Sequence, residues 1–384
     1  MREFSWMRPL FGGVSMVAMM GGVAGIVTPA VAQAETHRFQ YEHVLGTTLE
    51  IVATSPNAGT ALIAANAARA EIARLDLILS TWREDSEIAR LNRSGVANVS
   101  GDLLCVLEAC EKWRIETDNA FDARIGSLVS LWRASAEQNA APQAAQLAAN
   151  ADDIRASGIR LDTDKKTIAL SPSIQLSVDG LAKGYIIDAA LDAARKAAPA
   201  LSGLMINIGG DLRCWGVSPQ GDCWRIGVSD PSHLEDNAAP SLVLALNDLA
   251  VATSGKGLRD LIIEGAAHSH ILSPQSGAPV TRIVSATVVA RRAMDADALA
   301  TAFSVLGPAE SLSLARGIRD VEALIVTSDG AAHVSDGWGK LVADSAAPNL
   351  LQRTAGFIGD LLISPAEAAT AGNAWPSDFA LKIE

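Results

Sequence analysis

A change of periodicity partway along the chain constrains the fold more than any other feature. Up to about residue 156, apolar residues recur mainly at helical spacing. Residues 58–79 are Ala-rich, with Leu62, Ala65, Ala68, Ile72, Leu75 and Leu79 at three- to four-residue intervals, which predicts a helix. Residues 86–91 predict a short second helix capped by Asp85 or Ser86, 101–117 a third, and 143–156 a fourth after an Ala/Gln-rich loop. Before them, residues 37–55 alternate in part around Gly46-Thr47-Thr48, as two short strands or one bent strand. From residue 159 the apolar runs shorten. Strands are expected at 159–161, 167–170, 174–178, 204–208, 213–217, 224–228, 284–290 and 321–327, with two more in 243–252 turning at Asn247-Asp248. Helices are expected at 181–197, 296–306 and 309–317, and no repeat of 20–50 residues is present. Segregated strands of this kind predict an α+β fold, largely antiparallel, flanked by helices.

Composition narrows the function classes. Of 384 residues, 49% are hydrophobic and 19% charged, a globular balance. The net charge of -12 argues against nucleic acid as the main partner. It leaves room for a phosphate-bearing cofactor, because a bound divalent cation reverses the local sign. Arg2 and Arg8, an apolar run over 9–31 and Ala32-Gln33-Ala34 read as a secretion signal over 1–34, with the mature chain starting at Glu35. The body is expected over 35–344, and 345–384 forms an Ala/Pro/Asn-rich tail of unknown role. Cys214 and Cys223 flank an expected hairpin turning at Pro219 and Gly221, so a cross-hairpin disulfide is open to them in an oxidising compartment. Cys105 and Cys110 read as two buried thiols, and no Cys/His cluster suggests zinc.

Six segments carry candidate chemistry. Asp297 and Thr301 lie four apart in an Ala-rich helix expected to follow a strand, so they share a face. Carboxylate, hydroxyl and free backbone carbonyls make a hard oxygen site suited to Mg²⁺, although a capping Asp leaves the same trace. Asp179-Gly180-Leu181-Ala182-Lys183-Gly184 sets a cation and two glycines at a helix start, fit for a pyrophosphate or for a plain turn. Thr253-Ser254-Gly255-Lys256-Gly257 and Ile208-Gly209-Gly210-Asp211 are turns of the kind that meets phosphates, or ordinary turns and bulges. His270, without zinc-spaced partners, is a general base or a structural imidazole. Trp82, in a loop of a chain with 4% aromatics, is a ring-stacking platform or a core or lid side chain.

In this order the segments resemble the ApbE family of FAD:protein FMN transferases. The resemblance runs from about Gly46 to Trp338. It rests on Gly46-Thr47-Thr48, on Ser80-Thr81-Trp82 through Asp85-Ser86-Glu87-Ile88 to Asn92, and on Phe121-Asp122 with Gly126 and Leu131-Trp132. It continues through 180–185 with Asp188, Ile208-Gly209-Gly210, Ala252-Thr253-Ser254-Gly255, His270-Ile271 with Pro274 and Gly277, and 297–301. The resemblance implies a T-fold-like core, with Mg²⁺ on Asp297, Thr301 and the Gly180 carbonyl. FAD would touch Leu45, Trp82, Ala120, Phe121, Asp122, Lys183 and Ile271, with Ser254 and Gly255 close by. Trp82 stands where the family usually has Tyr. Ser177 stands where it commonly has Asp; Asp179, if the segment is extended, shares that face about 7 Å further on.

The function this implies is Mg²⁺-dependent cleavage of FAD. The FMN half passes to a Thr or Ser hydroxyl of an acceptor protein, AMP leaves, and His270 or Asp297 takes the hydroxyl proton. The acceptor would be a membrane or periplasmic redox subunit with a short Thr-containing motif, and the enzyme would be exported to the periplasm, at the inner membrane or free of it. Hydrolysis of FAD to FMN and AMP, or binding of FAD without catalysis, are the alternatives.

Overall fold

The computed structural model describes residues 35–343, apart from 230, 232–239 and 258–259. The expected signal (1–34) and tail (345–384) lie outside the described residues. β1 (Glu35–Val44) and β2 (Thr47–Ser55) form a hairpin, so the partly alternating segment is two strands. α1 (Ala58–Leu79) buries Ala61, Ala64, Ala65, Ala68, Ile72, Leu75 and Leu79, while Leu62 faces outward. α2 (Glu87–Ser94) is capped by Ser86, whose Oγ accepts the Ala89 N–H at 3.1 Å; Asp85 instead pairs with Arg83. β3 (Val96–Asn98), α3 (Gly101–Glu116), α4 (Gly126–Gln138), α5 (Ala144–Ala156), β4 (Ile159–Asp162) and β5 (Thr167–Leu170) follow. Then come α6 (Asp179–Ala197), β6 (Gly203–Ile208), β7 (Asp211–Gly216), β8 (Trp224–Val228), β9 (Leu242–Leu246) and β10 (Ala250–Gly255). The order ends with β11 (Leu261–Ile263), β12 (Ala266–His268), β13 (Ile283–Ala290), α7 (Ala293–Val305), α8 (Pro308–Gly317), β14 (Glu322–Thr327) and β15 (Ala332–Val334).

An eight-stranded sheet in the order β1-β2-β6-β7-β10-β13-β14-β15, antiparallel throughout, divides two cores. Successive strand residues point to opposite faces. Ile51, Leu204, Ile206, Ala252, Val288 and Ile325 therefore pack against α1, α6 and α7. Val52, Met205, Leu212, Val251, Val289 and Leu324 pack against the β8–β9 pair and Trp338. This is the expected α+β class. Among the described residues no helix is long and apolar enough to cross a membrane.

Four local expectations fail. Residues 174–178 form no strand. The Gln175 carbonyl accepts the Gly126 N–H (2.9 Å), Asn92 grips both backbone groups of Leu176 (2.7 and 2.9 Å), and the Ser177 N–H donates to the Ala123 carbonyl (2.8 Å). The 123–126 segment and the Asn92 side chain of α2 thus satisfy groups that a ladder would otherwise need. α4 is absent from the sequence reading, because its buried stripe is only Gly126, Leu128, Trp132 and Ser135 and no side chain caps its start. β7 and β8 do not pair: β7 sits between β6 and β10, and the turn at 218–221 carries the chain to the second layer. Cys214 and Cys223 accordingly are free thiols, as are Cys105 and Cys110, and of these last two only Cys110 is fully buried. β9 and β10 likewise belong to different sheets.

Candidate functional site

One face of α6 carries Gly180, Gly184 and Asp188 at four-residue intervals. Without side chains at 180 and 184, α7 comes very close. A Cβ on Gly184 would stand 2.2 Å from the Ala293 carbonyl oxygen, and one on Gly180 3.0 Å from both Cγ2 and Oγ1 of Thr301. The helices run antiparallel, so Gly180 meets Thr301, Gly184 meets Asp297 and Asp188 meets Ala293. Thr301 Oγ1 donates to the Gly180 carbonyl at 3.3 Å. The Gly184 N–H donates to Asp297 Oδ2 at 3.0 Å. Asp188 accepts the Ala293 and Met294 N–H groups at 2.9 and 3.1 Å and pairs with Arg213 at 2.8 Å. It caps α7 from another helix, where the N-cap residue Arg292 has no capping bond of its own. Burial pushes the Asp188 carboxyl up, and Arg213 and the two N–H groups pull it down.

Both helix starts depart from expectation. α7 begins at Ala293, so Asp297 lies in its second turn, buried, rather than at its opening. α6 begins at Asp179, so Asp179 and Ser177 share no extended face. Asp179 accepts the Thr81 hydroxyl at 2.7 Å and lies 3.7 Å from Arg133.

Several of the remaining candidates gather at one end of the large sheet. There lie the β1–β2 turn, with Leu45 at φ 51°, and the Gly209-Gly210 turn of the β6–β7 hairpin. Both of these glycines have positive φ, the type I′ requirement. The C-terminal end of β10 reaches the same place and links three clusters. The Thr253 N–H donates to Asp211 Oδ1 (3.0 Å), whose Oδ2 lies 2.6 Å from Lys183 Nζ. Ser254 Oγ is 3.4 Å from Thr301 Oγ1. The Gly257 N–H donates to Asp260 Oδ2 (3.3 Å), and Asp260 Oδ1 holds both Nδ1 (3.2 Å) and the backbone N–H (3.3 Å) of His270. Gly255 must lack a side chain, since its Cβ would stand 2.4 Å from the Val284 carbonyl oxygen.

Phe121 borders the crossing: its Cε2 lies 3.3 Å from where a Gly180 Cβ would stand. Ala120 is buried beside it, and the buried Asp122 pairs with Arg124 (2.8 Å). Ile271 is buried next to His270. Trp82 is 74% exposed and stacks one face on the Arg133 guanidinium, 3.7 Å from the ring centroid.

Gly180, Phe121, Ser254, Asp297 and Thr301 are thus brought together directly. Lys183 joins through Asp211, His270 through Asp260, and Trp82 through Arg133 and Asp179. Arg133 and Asp260 carry no local sequence signal, and Asp211 shows only as the residue after Gly-Gly. Among the described residues no three His, Cys, Asp or Glu side chains form a metal-ligand group. The hard-oxygen donors at the crossing are one carboxylate, two hydroxyls and a carbonyl.

The antiparallel sheet with its helical layer defines an α+β architecture that solved flavin transferases share. The chain superposes on the ApbE protein of Thermotoga maritima with a TM-score of 0.72 at 25% identity, covering 81% of this chain and 100% of that one. On the flavin transferase ApbE from Vibrio cholerae the TM-score is 0.66 at 25% identity, covering 80% and 99%. It is 30% identical over 279 residues to the FAD:protein FMN transferase of Vibrio cholerae O395, 71% of this chain and 80% of that relative. With the one from Treponema pallidum Nichols it is 31% identical over 281 residues, 68% and 76%. The ApbE family model matches residues 45–325, and the chain belongs to the ApbE family.

Proposed function

We propose that this chain is an exported FAD:protein FMN transferase, working in the periplasm after removal of residues 1–34, free or at the inner membrane. Its acceptor is a membrane or periplasmic redox subunit presenting a Thr or Ser hydroxyl. The observation that carries the reading is the α6–α7 crossing, where the Thr301 hydroxyl meets the Gly180 carbonyl at 3.3 Å with Asp297 one turn away. An oxygen-only donor set of this kind fits Mg²⁺ better than a softer metal. Asp297, Thr301 and the Gly180 carbonyl would hold the ion, which when bound neutralises charge on a diphosphate.

The chain's own groups do the rest. Lys183, aimed by Asp211, gives a cation to the FAD diphosphate. Leu45, Ala120, Phe121, Asp122, Ser177, Ser254, Gly255 and Ile271 line the FAD cleft, and Trp82 stacks on one of its rings. Asp179, committed to Thr81 and Arg133, does not supply the charge missing at Ser177. The acceptor hydroxyl oxygen bonds to the FMN phosphorus, and the bond from that phosphorus to the bridging oxygen breaks. AMP leaves with the electron pair, and the hydroxyl proton passes to His270, with Asp297 the second candidate acceptor. Asp260 at Nδ1 orients the imidazole for that task.

The test is incubation of the purified protein with FAD, Mg²⁺ and a Thr-containing acceptor peptide, read by mass spectrometry. FMN-modified peptide with equimolar AMP supports the reading. AMP without modified peptide would make the chain a hydrolase, and intact FAD throughout would make it a binding protein.

A further inference from the structure

Trp82 combines exposure with fixation. It is 74% exposed, yet its ring is not loose: the Arg133 guanidinium covers one face at 3.7 Å from the centroid. Arg133, on α4, is in turn 3.7 Å from Asp179 Oδ2, and Asp179 Oδ1 takes the hydroxyl of Thr81, the residue before Trp82. Indole, guanidinium, carboxylate and hydroxyl close a ring of contacts across three elements. Its carboxylate belongs to the first residue of α6, next to Gly180. The loop is fixed from its other side as well. Arg83 pairs with Asp85 at 2.9 Å and reaches Asp76 at 3.6 Å, and its carbonyl accepts the Ser86 hydroxyl at 3.1 Å. An aromatic ring held this way at the solvent edge has one face occupied and the other presented.

We propose that Arg133 is a positioning residue that holds Trp82 as a one-sided platform, leaving its uncovered face for a planar ring of FAD. The inference rests on the FAD-binding part of the proposed function and goes beyond it, because it assigns a role to a residue outside the FAD contacts named above. Stacking on a pre-set ring avoids the entropy of ordering it at the moment of binding. The planar guanidinium suits the task, since it covers an aromatic face while pairing a carboxylate, which a lysine ammonium does less well.

The test is titration of the protein with FAD, FMN and AMP, followed by flavin fluorescence or calorimetry, for the wild type, Arg133→Ala, Arg133→Lys, Trp82→Ala and the double alanine variant. The expected result is a rise in the FAD Kd of about fivefold for Arg133→Ala, at least as large for Trp82→Ala, and intermediate for Arg133→Lys. The double variant should be no weaker than Trp82→Ala alone, because Arg133 acts only through the indole. Whichever of FMN or AMP shows the same rise identifies the stacked ring. Should Trp82→Ala weaken FAD while Arg133→Ala binds like wild type, the Arg133 inference falls and the proposed function stands. Additive effects in the double variant would equally overturn it. Unchanged binding in both single variants would remove Trp82 itself from the FAD site.

Discussion

The Gly184 amide donates to the Asp297 carboxylate across 3.0 Å, joining the second turn of α6 to the second turn of α7. In a regular helix that amide is matched with the Gly180 carbonyl, and that carbonyl is the one the Thr301 hydroxyl addresses. One backbone pair of α6 therefore offers both its N–H and its C=O to α7, and glycine at both positions makes the approach possible.

Gly184→Ala should part the helices, because the added Cβ stands 2.2 Å from the Ala293 carbonyl oxygen and backbone cannot yield cheaply. The expected loss is about 1–3 kcal/mol of unfolding free energy in urea melts, with a steeper loss of FAD turnover. Superimposable melts would show that the crossing tolerates a side chain.

Thr301→Val keeps the shape of the side chain and removes its hydroxyl, whereas Thr301→Ser keeps the hydroxyl. Turnover of FAD to AMP should fall about a hundredfold or more in the first and stay near wild type in the second. The reverse order would mean that packing, not the oxygen, is what the position supplies.

Asp260→Asn keeps the side chain's shape and one accepting oxygen, for the His270 amide, but loses the oxygen that accepts from Gly257 and removes the charge beside Nδ1. Turnover with saturating acceptor should drop by roughly tenfold or more, with little change in KM for FAD. An equal rise in KM would instead give the Asp260–His270 pair a binding role.

Asp102 joins three helices, accepting Arg74 at 2.8 Å and the Tyr185 hydroxyl at 2.8 Å. Arg74 holds its carboxyl below the usual carboxylate range, with Tyr185 adding to the effect against burial. A carboxyl depressed in the folded state contributes stability above its unfolded pKa and loses it as pH falls through the folded value. The melting difference between wild type and Asp102→Asn should therefore be full at neutral pH and shrink as acid is added below the usual carboxylate range. A difference independent of pH would exclude the ionised contact as its source.

Burial pushes the Cys214 thiol up to about 12 and raises that of Cys110 as well. Native-state alkylation should spare both and label the half-buried Cys105 and Cys223 first. A Cys214–Cys223 disulfide in non-reducing peptide mapping would contradict the layered placement of β7 and β8.

The long helices were legible because their apolar spacing is strong: α1 and α3 lie within a residue of the segments that predict them. α4 was not, since a stripe of Leu128 and Trp132 among polar neighbours has little periodicity. Most of the longer strands could be read, though 174–178 is not a strand and the short β3, β11, β12 and β15 carry too few residues to show a period; partners could not, because nothing in Asn247-Asp248 or Pro219-Gln220-Gly221 tells a hairpin from a step between layers. At the site, Gly180, Asp297 and Thr301 were readable from spacing and from the family resemblance. Asp211 and Arg133 meet their partners from segments distant in sequence, which local pattern does not encode, and Asp260 meets Gly257 and His270 across a loop with no motif of its own.

In the proposed function the carboxylate and hydroxyl of α7, facing Gly180 and Gly184 of α6, hold a divalent ion that FAD cleavage requires. AMP release from FAD, measured against added Mg²⁺ for wild type and Asp297→Asn, tests this most directly. Wild-type release should rise with Mg²⁺ and stop with EDTA, and Asp297→Asn should release none although its thermal melt matches wild type. Wild-type release indifferent to EDTA, or undiminished release from Asp297→Asn, would contradict the proposed function.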